Sequence, residues 1–201
     1  MTTSTTLYND TARQDQETVI VFGNPRGGTS MVAGCLTGLG MHMGNNLPQN
    51  YEDPEFVAKP KQQMLSTIER KNKHHDVWGW KFPEAGRYLD ELLSEVRNPR
   101  FVVVFRDLIA ISNRQNQANN VDFERALAAN SLLMQQNMLL VMRARVPTML
   151  VSYEKAIGDN EGFLSELCDF SGLELPEDLS ELINFMTPGE YKSTFADRYV
   201  A

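Results

Sequence analysis

Four short apolar runs limit the possible folds of this chain more than any other feature. They are Val19-Ile20-Val21-Phe22, Val77-Trp78-Gly79-Trp80-Lys81-Phe82, Phe101-Val102-Val103-Val104-Phe105 and Pro147-Thr148-Met149-Leu150-Val151-Ser152. Each is too short for a core helix, and most are apolar at consecutive positions, as strands buried on both faces are. Between them lie stretches of helical periodicity. These predict helices over 29–39, over 53–71 with Pro60 as a point of interruption, over 86–96, from Leu108 onward, over 122–145, over 160–171 and over 177–185. The order β-loop-α-α-β-α-β-α-α-β-α-α predicts an α/β fold: a three-layer parallel sheet with helices on both faces. Right-handed crossovers then gather the loops after the strands at one sheet edge, where such folds bind ligands.

The 201 residues carry 19 Lys+Arg against 26 Asp+Glu, a net charge of −7, with 42% hydrophobic residues. That suits one α/β domain over 17–201, preceded by a polar, Thr-rich leader over 1–16 expected to be disordered. An acidic chain argues against nucleic acid as a partner, which calls for a basic surface. No stretch reaches the roughly 20 apolar residues of a membrane span, and the start lacks a signal-peptide core. Two cysteines, Cys35 and Cys168, in apolar contexts read as buried thiols of a reducing, cytoplasmic setting. Charge is uneven. Residues 59–75 collect Lys59, Lys61, Arg70, Lys71, Lys73, His74 and His75 against Glu69 alone, and 154–190 is acid-rich. Both read as solvated helix surface.

The first strand runs into Gly23-Asn24-Pro25-Arg26-Gly27-Gly28-Thr29-Ser30, which then opens a helix. This is the G-x-x-x-x-G spacing of a phosphate-binding loop. Glycines let the backbone wrap an anion, and the helix N-terminus points its amides at it. Thr29 and Ser30 add hydroxyls. The lysine that reaches the β- and γ-phosphates of a nucleoside triphosphate is missing, and Thr29 stands in its place. The cation is inside the loop, at Arg26.

These residues resemble the sulfotransferases that use 3′-phosphoadenosine 5′-phosphosulfate (PAPS). Pro25-Arg26-Gly27-Gly28-Thr29-Ser30 looks like their 5′-phosphosulfate loop. Phe101 to Asp107, ending in Arg106, looks like the strand and arginine of their 3′-phosphate segment. Trp78-Gly79-Trp80-Lys81-Phe82-Pro83 is similar to a strand common in bacterial members. Val151-Ser152-Tyr153-Glu154 and Leu167 to Leu173 resemble C-terminal segments of the family. The pattern departs at Leu108, where a proline often stands, and at Arg114, where the family serine usually lies. Ser112 is the nearest serine, and Arg114 is a second candidate cation.

The resemblance implies sulfuryl transfer from PAPS to an acceptor hydroxyl or amine, with no metal. The sequence itself shows no metal-ligand spacing. It implies Pro25, Arg26, Gly27, Gly28, Thr29, Ser30, Arg106, Ser112 and Arg114 as cosubstrate-binding residues. Glu52, in Asn50-Tyr51-Glu52-Asp53-Pro54, resembles a segment whose Glu can act as base. Lys81 and His42 compete for that role. The preferred assignment is Glu52 as base with Arg26 and Lys81 stabilising the transferring group. Met41, Met43, Leu47, Tyr51 and Phe56 offer either core or an apolar acceptor wall, and Trp78 and Trp80 either core or a stacking platform. The tail around Pro188-Gly189-Glu190-Tyr191-Lys192 is a candidate cover. The acceptor stays open between small molecule, carbohydrate and other hydroxyl carriers. So short a chain leaves little for an acceptor lid, and a homodimer is one way to complete the site. Two rivals stand beside this reading: a P-loop nucleotide or small-molecule kinase with an altered loop, and a non-catalytic nucleotide-binding module.

Overall fold

β2 (Glu17–Gly23) is buried along its whole length, and the rest of the molecule is arranged around it. The structure, a computed structural model, describes residues 3–189, 192 and 194–196. Glu190, Tyr191 and Ser193 of the expected cover lie outside the described residues. The strands β1 (Thr5–Tyr8), β2, β3 (Val77–Lys81), β4 (Pro99–Phe105) and β5 (Thr148–Ser152) form one sheet in the order β1-β5-β4-β2-β3. β3, β2, β4 and β5 are mutually parallel, as the four apolar runs predict.

Consecutive residues over 19–22 of β2 serve opposite faces, which is why that stretch has no polar position. Val19 and Val21 join Val102, Val104, Met149 and Val151 beneath α1 (Thr29–Gly38), α7 (Asn160–Ser171) and α8 (Ser180–Met186). Ile20 and Phe22 join Trp78, Trp80, Phe101 and Val103 on the other face, beneath α2 (Lys61–His74), α3 (Leu89–Leu92) and α5 (Phe123–Ala144). Burying each such side chain contributes about 1.5–3 kcal/mol. α4 (Leu108–Asn119) and α6 (Tyr153–Gly158) each follow a strand directly or within three residues.

Three expectations are corrected. Part of the supposed leader is ordered: Thr5–Tyr8 pairs antiparallel with β5, and Ser4 Oγ donates to Glu166 at 2.7 Å. Thr5, Thr6, Leu7 and Tyr8 carry no apolar period because the strand is largely exposed. What it needs is an unpaired edge, and β5 supplies it. The helix expected from Asp53 begins only at Lys61, with Pro60 at its cap. Asp53 is occupied elsewhere, in a turn in which its Oδ1 accepts from the Glu55 amide. The 86–96 helix is a 3-10 turn, the single α turn of α3 and a second 3-10 turn. It still buries Ala85, Leu89, Leu92 and Val96.

No helix among the described residues is long and apolar enough to cross a membrane. Both cysteines are buried and unpaired.

Candidate active site

The loops that follow β2, β3, β4 and β5 enclose a cleft of about 290 Å³ at the carboxyl edge of the parallel strands. Its floor is the loop between β2 and α1. The chain turns there through Arg26 in the left-handed region (φ 66°) and Gly28 (φ 97°). Gly28 is obligatory for a second reason: a Cβ on it would lie 2.3 Å from Tyr153 Cδ2. The loop is tied down from below. Asn24 Nδ2 donates to the Asn130 carbonyl at 2.8 Å, and Gly27 N donates to Asn24 O at 2.9 Å. No side chain caps α1 at Gly28, so the first turn opens on the cleft with Thr29 and Ser30 at its wall.

Lys81 is the last residue of β3 and only 1% exposed. Its Nζ donates to Glu52 Oε1 at 3.0 Å, to the Asn50 carbonyl at 3.1 Å and to Ser30 Oγ at 3.3 Å. Burial pulls its pKa down to about 8, Arg26 pushes the same way, and the Glu52 carboxylate opposes both. The amine therefore stays mostly charged at neutral pH but within reach of losing its proton. Glu52 is partly open to the cleft, at 23% side-chain exposure.

Arg106, just beyond β4, lies with its guanidinium 4.5 Å over the Tyr153 ring, and one of its Nη atoms donates to the Arg26 carbonyl at 3.1 Å. Its Nε is buried without a hydrogen-bond partner. Arg114 donates to the Gly189 carbonyl at 2.9 Å, and Lys192 donates to the carbonyls of Asn184 and Thr187, so the described tail residues lie along the rim. Arg26, Lys81, Arg106, Arg114 and Lys192 thus face one carboxylate, Glu52, among the described lining residues. A chain of net charge −7 keeps a strongly cationic cleft, which suits a multiply charged anion.

Of the residues expected at the site, Pro25, Arg26, Gly28, Thr29, Ser30, Glu52, Lys81, Arg106 and Arg114 line this cleft. Gly27 lies in the loop but behind the wall. Ser112 is a correction. It is fully buried, its hydroxyl donates to the Leu108 carbonyl and accepts from Asn130 Nδ2, and it does not line the cleft. A serine on the buried face of α4 is drawn into the helix's own hydrogen bonding. His42 is also absent from the lining. It stacks on His75 at 4.0 Å, and burial, with Lys71 adding to it, pulls its pKa down to about 4. Trp78 and Trp80 are core, stacked with Phe56. Met41, Met43, Leu47 and Phe56 are core as well, and only Tyr51 of that group touches the cleft.

Sequence reasoning missed the supports: Asn24, Gln115 and Asn130, which knit the loop to α4 and α5. A signal was present. Asn130 and Asn137 stand seven residues apart on the buried side of α5, and an amide on an apolar stripe needs a polar partner.

A model of the sulfotransferase family matches residues 41–177. This chain belongs to that family. Solved structures carry the likeness to the fold as a whole. The sulfotransferase domain of the Synechococcus PCC 7002 olefin synthase superposes with a TM-score of 0.59 at 13% identity, covering 95% of this chain and 90% of that one. The sulfotransferase domain of the curacin biosynthetic pathway gives 0.58 at 13% identity, covering 94% and 84%. A sulfotransferase from Mycobacterium tuberculosis gives 0.55 at 14% identity, covering 91% and 74%. No curated protein matches the sequence. The family match begins at residue 41, so it excludes the loop over 23–30. In this family member the loop is described by its own geometry.

Proposed function

We propose that this chain moves a sulfuryl group from PAPS to the hydroxyl, or amine, of an acceptor by in-line transfer. The observation that carries the reading is the meeting of Arg26, Lys81 and Ser30 with the Glu52 carboxylate in one cationic cleft. The residues present fit the donor. Among the described residues, five cations and one carboxylate line the cleft, the uncapped first turn of α1 opens on it, and Arg106 Nε, 4.0 Å from Glu154 Oε1, has no hydrogen-bond partner. Arg26, the first turn of α1 and Ser30 would hold the 5′-phosphosulfate, and Arg106 with Arg114 the 3′-phosphate. The donor supplies an activated sulfuryl group, and the protein supplies position and charge.

Each residue then has a defined task. Glu52 accepts the proton of the attacking acceptor group. Lys81 holds the Glu52 carboxylate in place and, together with Arg26, offsets negative charge developing between donor and acceptor. Arg106 is fixed by Tyr153 and the Arg26 carbonyl, so its orientation is prepaid before anything binds.

Thermal shift separates the rival readings. 3′-Phosphoadenosine 5′-phosphate should stabilise the protein by about 2.7 kcal/mol at 100 times its Kd, and Arg26→Ala should abolish the shift. Stabilisation by ATP with Mg²⁺ alone would move the assignment to a kinase. A shift with the bisphosphate but no sulfate transfer across a panel of acceptors would indicate a binding module.

A further inference from the structure

The turn that carries Glu52 is pinned on both sides by residues with no part in the proposed proton transfer. On one side is Tyr51, fully buried and in the left-handed region (φ 58°). Its ring meets Phe185 edge-on at 5.6 Å, and its hydroxyl accepts from the Phe195 amide at 3.1 Å. The chain reverses there, so the Asn50 carbonyl and the Glu52 carboxylate both end on Lys81 Nζ.

On the other side is Asp53. Its Oδ2 accepts from Lys71 Nζ at 2.9 Å, and both side chains are 1% exposed. Lys71 Nζ also stands 5.5 Å over the Trp78 ring and 3.8 Å from Glu55 Oε2. The Asp53 carboxyl fills a space that only glycine leaves free at position 44, where a Cβ would lie 2.9 Å from Asp53 Cγ. Neither Asp53 nor Lys71 lines the cleft. Taking two charges out of water costs about as much as their attraction returns, and apolar replacements of such pairs are often neutral. Stability alone therefore does not account for a buried ion pair next to Glu52.

We propose that Asp53 and Lys71 are a positioning pair that holds the Glu52 carboxylate against Lys81. The inference rests on Glu52 as the base in the sulfotransferase reading, but the geometry it concerns needs no substrate. α2 brings Lys71 from the far side of the sheet, and the pair fixes the backbone one residue past Glu52. Loss of the pair lets the 50–55 turn relax, and Glu52 leaves Lys81.

The titration of Lys81 reports this directly, because Glu52 and Arg26 are the charged groups acting on it. In protein labelled with 13C at lysine Cε, NMR follows its midpoint in wild type, Glu52→Gln, Asp53→Asn/Lys71→Met and the triple variant. Glu52→Gln should lower the midpoint by about one pH unit or more, since an opposite charge at this distance is removed. The double variant should lower it in the same direction, and the triple variant no further than Glu52→Gln. A folded double variant with the wild-type midpoint, or a shift that adds to that of Glu52→Gln, overturns the proposal. Asp53→Asn alone is the milder variant, because Glu55 still faces Lys71. It should give a smaller shift of the same sign, and an unchanged midpoint there also overturns the proposal. If 3′-phosphoadenosine 5′-phosphate fails to bind the wild type, the donor assignment falls while the titration still decides the positioning role.

Discussion

Lys81 is held almost wholly out of water, and its neighbours set when it carries charge. Its folded-state pKa of about 8 lies below the ordinary 10.5. Turnover that depends on the cation should fall on the alkaline side with a midpoint near 8, read from kcat against pH. The sign for stability is the opposite. Between about 8 and 10.5 the unfolded chain binds the extra proton, so stability contributed by this residue rises with pH across that window. The melting temperature of wild type, relative to that of Lys81→Met, should therefore rise with pH across it. Glu52 is tested separately. Glu52→Gln keeps the shape and a contact to Lys81 but cannot take a proton, and kcat should drop at least ~100-fold. A near-normal kcat in that variant would sink the assignment.

Among the elements, the turn from β2 into α1 tolerates least. Gly28 combines φ 97° with the Tyr153 ring against its Cα. Gly28→Ala should lower stability by about 1–3 kcal/mol through backbone strain, plus the displacement of Tyr153 and, with it, Arg106. Binding of the 3′,5′-bisphosphate should weaken in the same variant, measured by calorimetry. The strand, turn and helix around residues 23–30 were legible because an apolar run, glycines and hydroxyls occur in a fixed local order. The Glu52 to Lys81 contact was half legible: both were expected after strands, but nothing local shows them 3.0 Å apart. The start of α2 was misread because Asp53-Pro54 has the form of a helix N-terminus. The aspartate was instead claimed by Lys71, which itself sits in a basic run that reads as solvent-facing. A buried lysine in such a run is invisible to periodicity, since its partner is 18 residues away.

At the scale of the molecule, the sheet has one antiparallel edge. β1 covers β5 and buries little of its own side-chain surface, so its value lies in pairing. Deleting residues 1–8 should leave β5 with an open row of amides and carbonyls, lower Tm by about 5 °C or more and promote association at high concentration. Unchanged melting and light scattering would show that the edge needs no cover. This edge was not legible, because pairing with a distant strand leaves no periodic mark in four residues, two threonines, a leucine and a tyrosine. The parallel core was, because burial on both faces forces four continuous apolar runs.

The two cysteines have a practical consequence. Cys35 and Cys168 are both buried, and desolvation drives both thiols up, Cys168 to about 11. Thiolate is the reactive form, so neither should react with maleimides while the protein is folded. An engineered cysteine would then be the sole labelling handle without any need to strip the native ones. Gly189→Cys is the natural choice, on the rim of the cleft with nothing within 4 Å of its Cβ. A fluorophore there would turn the tail into an optical gauge of ligand entry.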